Sequence, residues 1–442
     1  MAKVIPFKGY RYNPARVNIQ DVVAPPYDVI TPDQRDFLHQ RHPHNIAMLT
    51  NPREMVGDSP QNNQYIRAGK ALVHWIDSGI LRQDERPSVY VYEQLYRYSA
   101  EQPSIRRGFI ALARLEEQDS KVILGHEQTL MSAKYDRLNL MKECKANLSP
   151  IFSLYSQSSK TIDAVLDEIA ASPAEYDFVD DSEVRNKLWA VTDPSIIRRL
   201  TSEMSDQRLI IADGHHRYET ALIYRHIRRN EGRRTSEDAL HNYVMMMFVN
   251  IDSGVTIYPI HRIISDIPDF KPEIFRSRLS EYFEVVPAPF DCSNCEQTAR
   301  NLLNRMAEEG ETRHTYGLYL GGDRLELLKS KDDIRLRELV DKRHCESFRT
   351  LDVAIAQAAI FQEIMGIHTG TASKEEHVRY TPSEGKALDA VRRGEAQAAL
   401  LLNPTKSEQV KAVTYEGEKM PQKSTYFYPK LLSGLVINRF DC

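Results

Sequence analysis

Four consecutive apolar residues, Leu209-Ile210-Ile211-Ala212, run without a spacer into Asp213-Gly214-His215-His216-Arg217. After that turn, apolar residues recur at helical spacing as Tyr218, Ala221, Leu222, Ile223 and Ile227. Such a pattern commits the chain to a buried strand that delivers it directly to a helix N-terminus. Unpaired backbone N–H groups and the positive end of the helix dipole favour an anion there, and glycine lets the backbone approach it closely. His215, His216 and Arg217 add side-chain donors suited to phosphate oxygens. Two plainer readings stay open: Asp213 caps the helix while the histidines form a satisfied polar core, or the histidines hold a metal. The metal reading is the weaker, because neighbours on a helix point about 100° apart.

At 442 residues the chain exceeds the size at which one hydrophobic core stops growing. The spacing predicts a helix over 65–76, an antiparallel strand pair over 88–98 and 108–115, and a strand over 122–124 leading into His126-Glu127. A helix over 136–148, stopped by Ser149-Pro150, a strand over 151–155 and a helix over 162–171 follow. Residues 188–191 read as a strand, 218–229 as a helix, and 243–251 with 256–264 as a hairpin around Asp252-Ser253-Gly254. Beyond these come helices over 273–282 and 295–309, a hairpin over 316–328 and an apolar helix over 351–365. Helices and strands alternate without strict βαβ regularity, so the class is α+β. Three regions are expected: 1–160, which contributes to the site; 161–268, which carries the turn; and an α/β region over 269–442 packed on the core.

Lys and Arg number 58 against 62 Asp and Glu, and the net charge of −4 gives no general attraction to nucleic acid or to anionic membranes. No apolar stretch is long enough for a membrane span and no signal-peptide core opens the chain, which places it in the cytoplasm. Cys292 and Cys295 form a lone CxxC without the second ligand pair that structural zinc needs. His39, His42 and His44 read as surface residues, and Met245 to Met247 as core.

Five stretches make the sequence similar to the prokaryotic family described as domain of unknown function 1015. They are Ala24-Pro25-Pro26-Tyr27-Asp28-Val29-Ile30, His126-Glu127-Gln128-Thr129 with Asp136-Arg137-Leu138, Asn147 to Phe152, Ala212 to Leu222, and Met420 to Lys430. The turn also resembles the phosphate-binding element of the ParB/sulfiredoxin-like superfamily, which includes kinases of free serine, ATP-dependent sulfiredoxins and CTP-dependent partition proteins. The resemblance implies a ParB/sulfiredoxin-like nucleotide-binding core with additional α/β regions, binding ATP or ADP with Mg²⁺. Sulfiredoxin chemistry needs a cysteine in the turn, and His215 stands there instead.

Phosphoryl transfer to a hydroxyl needs phosphate donors, usually Mg²⁺, and a carboxylate base. Glu127 is the first choice for that base and Asp28 the second, with Asp213 as a further catalytic candidate. Gly214, His215, His216 and Arg217, with Lys423, Ser424 and Thr425, are the phosphate-binding candidates; His126, Asp136, Arg137, His261 and Arg262 are the substrate-binding ones. Each has a bland counterpart: a cap for Glu127, an ion pair for Asp136-Arg137, a stapled terminal segment for Lys423. The implied function is a phosphotransferase acting on a small hydroxyl-bearing metabolite, with free L-serine the suggested acceptor and no nucleic-acid partner. A nucleotide-gated binding protein and a metal-dependent hydrolase are the alternatives.

Overall fold

The computed structural model describes residues 2–97, 103–127, 129, 131–231, 236–290, 295–367 and 377–440. The side-chain pairing of Cys292 with Cys295 lies outside the described residues. The chain forms two compact units, Met1–Thr256 with Pro429–Cys442, and Ile257–Tyr428. This differs from the three consecutive regions expected from sequence, because one sheet recruits strands from both sides of residue 160 and the chain's last segment returns to the first unit.

In the first unit the strands are β1 Val4–Ile5, β2 Val89–Arg97, β3 Pro103–Arg114, β4 Ile123–Gly125, β5 Ile151–Tyr155, β6 Tyr176–Val179, β7 Arg185–Val191, β8 Leu209–Asp213 and β9 Tyr243–Asn250. They form a mixed sheet in the order β4-β8-β5-β9-β3-β2-β7-β6, with β1 beside β3. The β4/β8 and β5/β9 pairs are parallel and the other pairs antiparallel. Every residue of β9 is buried, Met245 to Met247 included, which is why it reads as an unbroken apolar run rather than an alternating one.

Helices α1 Gln64–Asp77, α2 Met131–Cys144, α3 Thr161–Ala170, α4 Pro194–Met204 and α5 His215–Asn230 belong to this unit. Asn63 caps α1 by accepting from the Tyr65 and Ile66 amides. Helix α2 ends four residues earlier than Ser149-Pro150 would impose, at Lys145 with φ +50°, and Ala146–Asn147 pairs instead with Asn438–Arg439 of the returning tail.

The hairpin expected over 243–264 does not form. Both edges of β9 are taken, by β3 and β5, and the chain passes beyond residue 256 into the second unit. There β10 His261–Ile264, β11 Phe283–Pro289, β12 Thr315–Tyr319, β13 Arg324–Ser330, β14 Val378–Thr381 and β15 Ala398–Leu402 form an antiparallel sheet in the order β11-β13-β12-β15-β10-β14. Its apolar core gathers Leu302, Met306, Leu327, Leu388 and Leu401 under helices α6 Cys295–Glu309 and α9 Glu384–Arg392. Between those helices in sequence lie α7 Asp333–Leu339 and α8 Asp352–Ile355, the latter continuing as a π-helix over Ala356–Ile364, and α10 Ser407–Tyr415 follows β15. Among the described residues no helix is long and apolar enough to cross a membrane.

Candidate functional site

Strand β8 lies inside the sheet between β4 and β5, so Leu209 to Ala212 are buried, and its register against β5 shifts between Ile211 and Asp213 as the strand ends. Gly214 then takes φ +95°, a left-handed value that costs an L side chain energy, and α5 begins at once with His215. The helix therefore starts three residues before the apolar periodicity does. Its first turn closes from the Tyr218 N–H to the Gly214 carbonyl at 3.0 Å, which sets the amides of His215, His216 and Arg217 in the N-terminal turn of the helix. A Cβ on Gly214 would stand 2.9 Å from the Arg217 guanidinium, so the missing side chain also makes room for that group.

Asp213 is the electrostatic centre of the turn. Its Oδ1 accepts from Lys430 Nζ at 2.8 Å and its Oδ2 from Arg217 Nη2 at 3.0 Å, while Arg217 Nη1 donates to the Pro150 carbonyl at 2.6 Å. The side chains of Asp213, Lys430 and Arg217 are 17%, 14% and 12% exposed. Burial opposes charge on Asp213, but the Lys430 ammonium and the Arg217 guanidinium outweigh it and hold the carboxyl well below the usual range. Two cations thus face one carboxylate at the helix N-terminus. Lys430 comes from the segment that returns to the first unit, where Ser433 pairs with Ala24 and Ile437 with Tyr10.

The histidines are ordered by the end of β4. His126 Nδ1 lies 2.6 Å from the Ile211 carbonyl, which can only accept, so Nδ1 carries the proton. The His126 amide in turn donates to His215 Nε2 at 3.1 Å, which leaves the proton of a neutral His215 on Nδ1. That nitrogen is 3.8 Å from Glu127 Oε2, and the other oxygen of Glu127 is 4.0 Å from His126 Nε2. Gly125 permits this packing, since a Cβ there would approach the His215 ring to 3.2 Å. Burial pushes the His126 pKa down and keeps the ring neutral. His216 is also shifted down by burial, against the pull of Asp28, Glu219 and Glu127, so these carboxylates and the turn share one neighbourhood. Glu219 is held by Thr129 at 2.6 Å and by Lys134 at 2.9 Å.

Asp136 and Arg137 pair at 2.7 Å, and Arg137 also donates to the Thr50 carbonyl and stacks 3.9 Å over the Tyr27 ring. Tyr27, Arg137, Asn147, Leu148 and Arg217 line one cleft, which brings the Pro25-Pro26-Tyr27 loop and the Asp136-Arg137 motif to the helix N-terminus. Five of the sequence motifs therefore supply residues around one place in the first unit, the last of them through Lys430.

Lys423, Ser424 and Thr425 belong to the second unit, as do His261 and Arg262. Lys423 is exposed at φ +56° and its carbonyl accepts from Arg262 Nη2 at 3.2 Å; the Ser424 hydroxyl donates to the Pro421 carbonyl. That bond closes the local turn. His261 is wholly buried and accepts from the Leu402 amide at 3.2 Å.

Lys430, which sequence reasoning alone does not single out, closes the Met420 to Lys430 stretch, where Pro429 sets it apart from the aromatic run.

The family model described as "Protein of unknown function (DUF1015)" matches residues 4–354. No curated protein matches the chain. Among solved structures, a free serine kinase mutant in complex with AMP is 10% identical, with 72% of this chain and 87% of that chain covered and a TM-score of 0.33. SbnI with a C-terminal truncation, from Staphylococcus aureus, is 12% identical, with 73% and 85% covered and a TM-score of 0.33. A conserved hypothetical protein from Pyrococcus furiosus is 11% identical, with 72% and 90% covered and a TM-score of 0.32. Likeness at this level is loose, and the site stands on its own residues. The family match takes in well over half of the sequence and all of the turn from Asp213 to Arg217, and the chain belongs to the DUF1015 family.

Proposed function

We propose that the chain is a nucleotide-dependent phosphotransferase acting on a small hydroxyl-bearing metabolite in the cytoplasm, with free L-serine the first acceptor to test. The observation that carries this reading is the pairing of Arg217 and Lys430 on a single carboxylate, Asp213, at the N-terminus of α5. Two cations fixed by one carboxylate beside the N-terminal turn of a helix are groups suited to a di- or triphosphate.

In this reading the amides at 215–217, Arg217 and Lys430 hold the phosphates, and Asp213 orients the two cations. The carboxylates near the turn also fit Mg²⁺ carried in on the phosphates, for which Asp28 would supply the protein carboxylate where Glu127 is the base, since such ions keep one or two carboxylates and several waters. The acceptor's hydroxyl oxygen forms a bond to the terminal phosphorus, the bond from phosphorus to the bridging oxygen breaks, and the leaving nucleotide keeps that electron pair. The hydroxyl proton passes to Glu127, with Asp28 the second candidate. The ParB-like description of the nucleotide core belongs to this proposal.

A thermal-shift series with ATP, ADP, CTP, GTP and pyrophosphate, with and without Mg²⁺, tests the reading, because a ligand of the folded state raises its apparent stability. Stabilisation by nucleotides, followed by label transfer from the stabilising nucleotide to serine or another alcohol, is the expected result. No stabilisation by any of them would overturn it; binding with hydrolysis but no transfer to any acceptor would favour a nucleotide-gated switch.

A further inference from the structure

Phosphate accounts for only one edge of the cleft beside Arg217 in the first unit. Part of its wall is hydrocarbon, from Leu140 and Met141 of α2 and from Ala146, Leu148, Ile151 and Val244. The rest is polar, and no Asp or Glu side chain belongs to it.

The polar side chains of the wall differ in what they have left to offer. Asn147 is 5% exposed, and its Oδ1 accepts from the Met245 amide and from Asn438 Nδ2, both at 3.1 Å. The Met245 N–H can only donate, so the orientation of the Asn147 amide is fixed and Nδ2 is the end left over. Among the described residues that Nδ2 has no hydrogen-bond partner, and it is not sealed in the interior as the Arg217 Nε is. The Tyr27 hydroxyl likewise has none among the described residues. Arg137 spends Nε and Nη2 on Asp136 and Nη1 on the Thr50 carbonyl, while Arg217 spends Nη1 on the Pro150 carbonyl and Nη2 on Asp213. Each Nη carries two hydrogens, so both guanidiniums keep N–H donors. The remaining hydroxyls are engaged: Thr50 donates to the Ile46 carbonyl, and Ser149 pairs with Ser433.

Spare donors with no carboxylate beside them, set against hydrocarbon, suit a ligand whose head group only accepts and whose body is apolar. A carboxylate is such a head group, and guanidinium and amide donors match its oxygens. An ammonium on the same ligand would be buried beside two guanidiniums with no counter-ion in the wall. We propose that this cleft binds an organic acid with a hydrocarbon body and no amine, and that a hydroxy acid of this kind, in preference to free serine, is the acceptor. The role as acceptor rests on the phosphotransferase reading; the binding of the acid does not.

Calorimetry and ligand-observed NMR on the full chain, with and without ADP, test this with 2-hydroxy-4-methylpentanoate as probe. Its amide is the uncharged counterpart and L-serine the amine-bearing comparison. Saturable binding of the acid, at least about tenfold tighter than either and at least about tenfold weakened in Asn147→Asp, is the expected result. That variant keeps Oδ1 for the Met245 amide and replaces the spare donor with a charged oxygen. Tyr27→Phe, expected to weaken the acid at least about threefold, provides a second variant should Asn147→Asp fail to fold. No binding of the acid under either condition, equal affinity for acid and amide, serine bound as tightly as the acid, or acid binding unchanged in a folded variant would each overturn the proposal. Acid binding without stabilisation by any nucleotide would keep the ligand assignment and overturn the phosphotransferase reading, and stabilisation by nucleotides without acid binding would do the reverse.

Discussion

Lys430 Nζ lies 2.8 Å from Asp213 Oδ1, a contact that spans 217 residues and ties the returning segment to the turn at the head of α5. The carboxylate is shared with Arg217, so the three residues act as one charged unit. A carboxyl held well below its usual range is a weak general base near neutral pH, so in the proposed phosphotransferase reading Asp213 orients the cations and Glu127 is the candidate for proton transfer. Lys430→Met removes one cation and frees Asp213 to neutralise Arg217 alone. Nucleotide affinity measured by calorimetry is expected to fall by about 1.5–3 kcal/mol, the range for hydrogen bonds to charged groups, with Lys430→Arg closer to wild type. Unchanged affinity in the methionine variant would reduce Lys430 to a tether for the tail.

Gly214→Ala addresses the same unit from the backbone. The substitution forces an L residue to φ +95° and sets a methyl group 2.9 Å from the Arg217 guanidinium. A loss of about 1–2 kcal/mol in stability is expected from the left-handed conformation alone. Nucleotide binding should weaken further because Arg217 must move. Urea denaturation and calorimetry separate the two effects, and a variant with wild-type stability and affinity would contradict both.

Glu127→Gln keeps the shape of the side chain and its place beside His215 while removing the basic oxygen. Nucleotide binding should persist and phosphoryl transfer should fall by about 10² to 10⁴, the usual contribution of a positioned base. Transfer at the wild-type rate would pass the role to Asp28, which lies within electrostatic reach of the same His216.

The strand-turn-helix was legible because its information is local: four apolar residues, one glycine and a helical repeat. The place of Glu127 was half legible, since the short strand before it was visible but its parallel pairing of Ile211 with Gly125 was not. Lys430 depended on pairings such as Asn438 with Asn147 and Ser433 with Ala24, which no local pattern encodes. The false hairpin over 243–264 had the same cause in reverse. Its Asp252-Ser253-Gly254 turn is genuine in character, but Met247 already has Ile110 on one side and Phe152 on the other. Ser424 donates its hydroxyl hydrogen to the Pro421 carbonyl, a local use of the side chain that its residue type alone does not disclose.

The buried His261 provides a test by pH in the second unit. Burial, with the adjacent Arg262 charge, pushes its pKa down to about 3, while in the unfolded chain it titrates near 6.5. Folding therefore excludes a proton that the unfolded chain takes up. The stabilisation associated with the neutral ring is complete above about pH 6.5 and is lost as pH falls toward 3, at up to about 1.4 kcal/mol per pH unit. In His261→Asn an amide oxygen stands in for Nδ1 and still accepts from the Leu402 amide, but nothing titrates. At pH 7.5 the variant should be the less stable, having lost buried ring volume. Between pH 6.5 and 4.5 its stability should fall less steeply than that of the wild type, so that the gap narrows. His126 is shifted in the same direction in the first unit and supplies a slope common to both proteins. Urea unfolding followed by far-UV circular dichroism at pH 7.5, 6.0, 5.0 and 4.5 measures the gap, and equal slopes in the two proteins would show that His261 does not carry the effect.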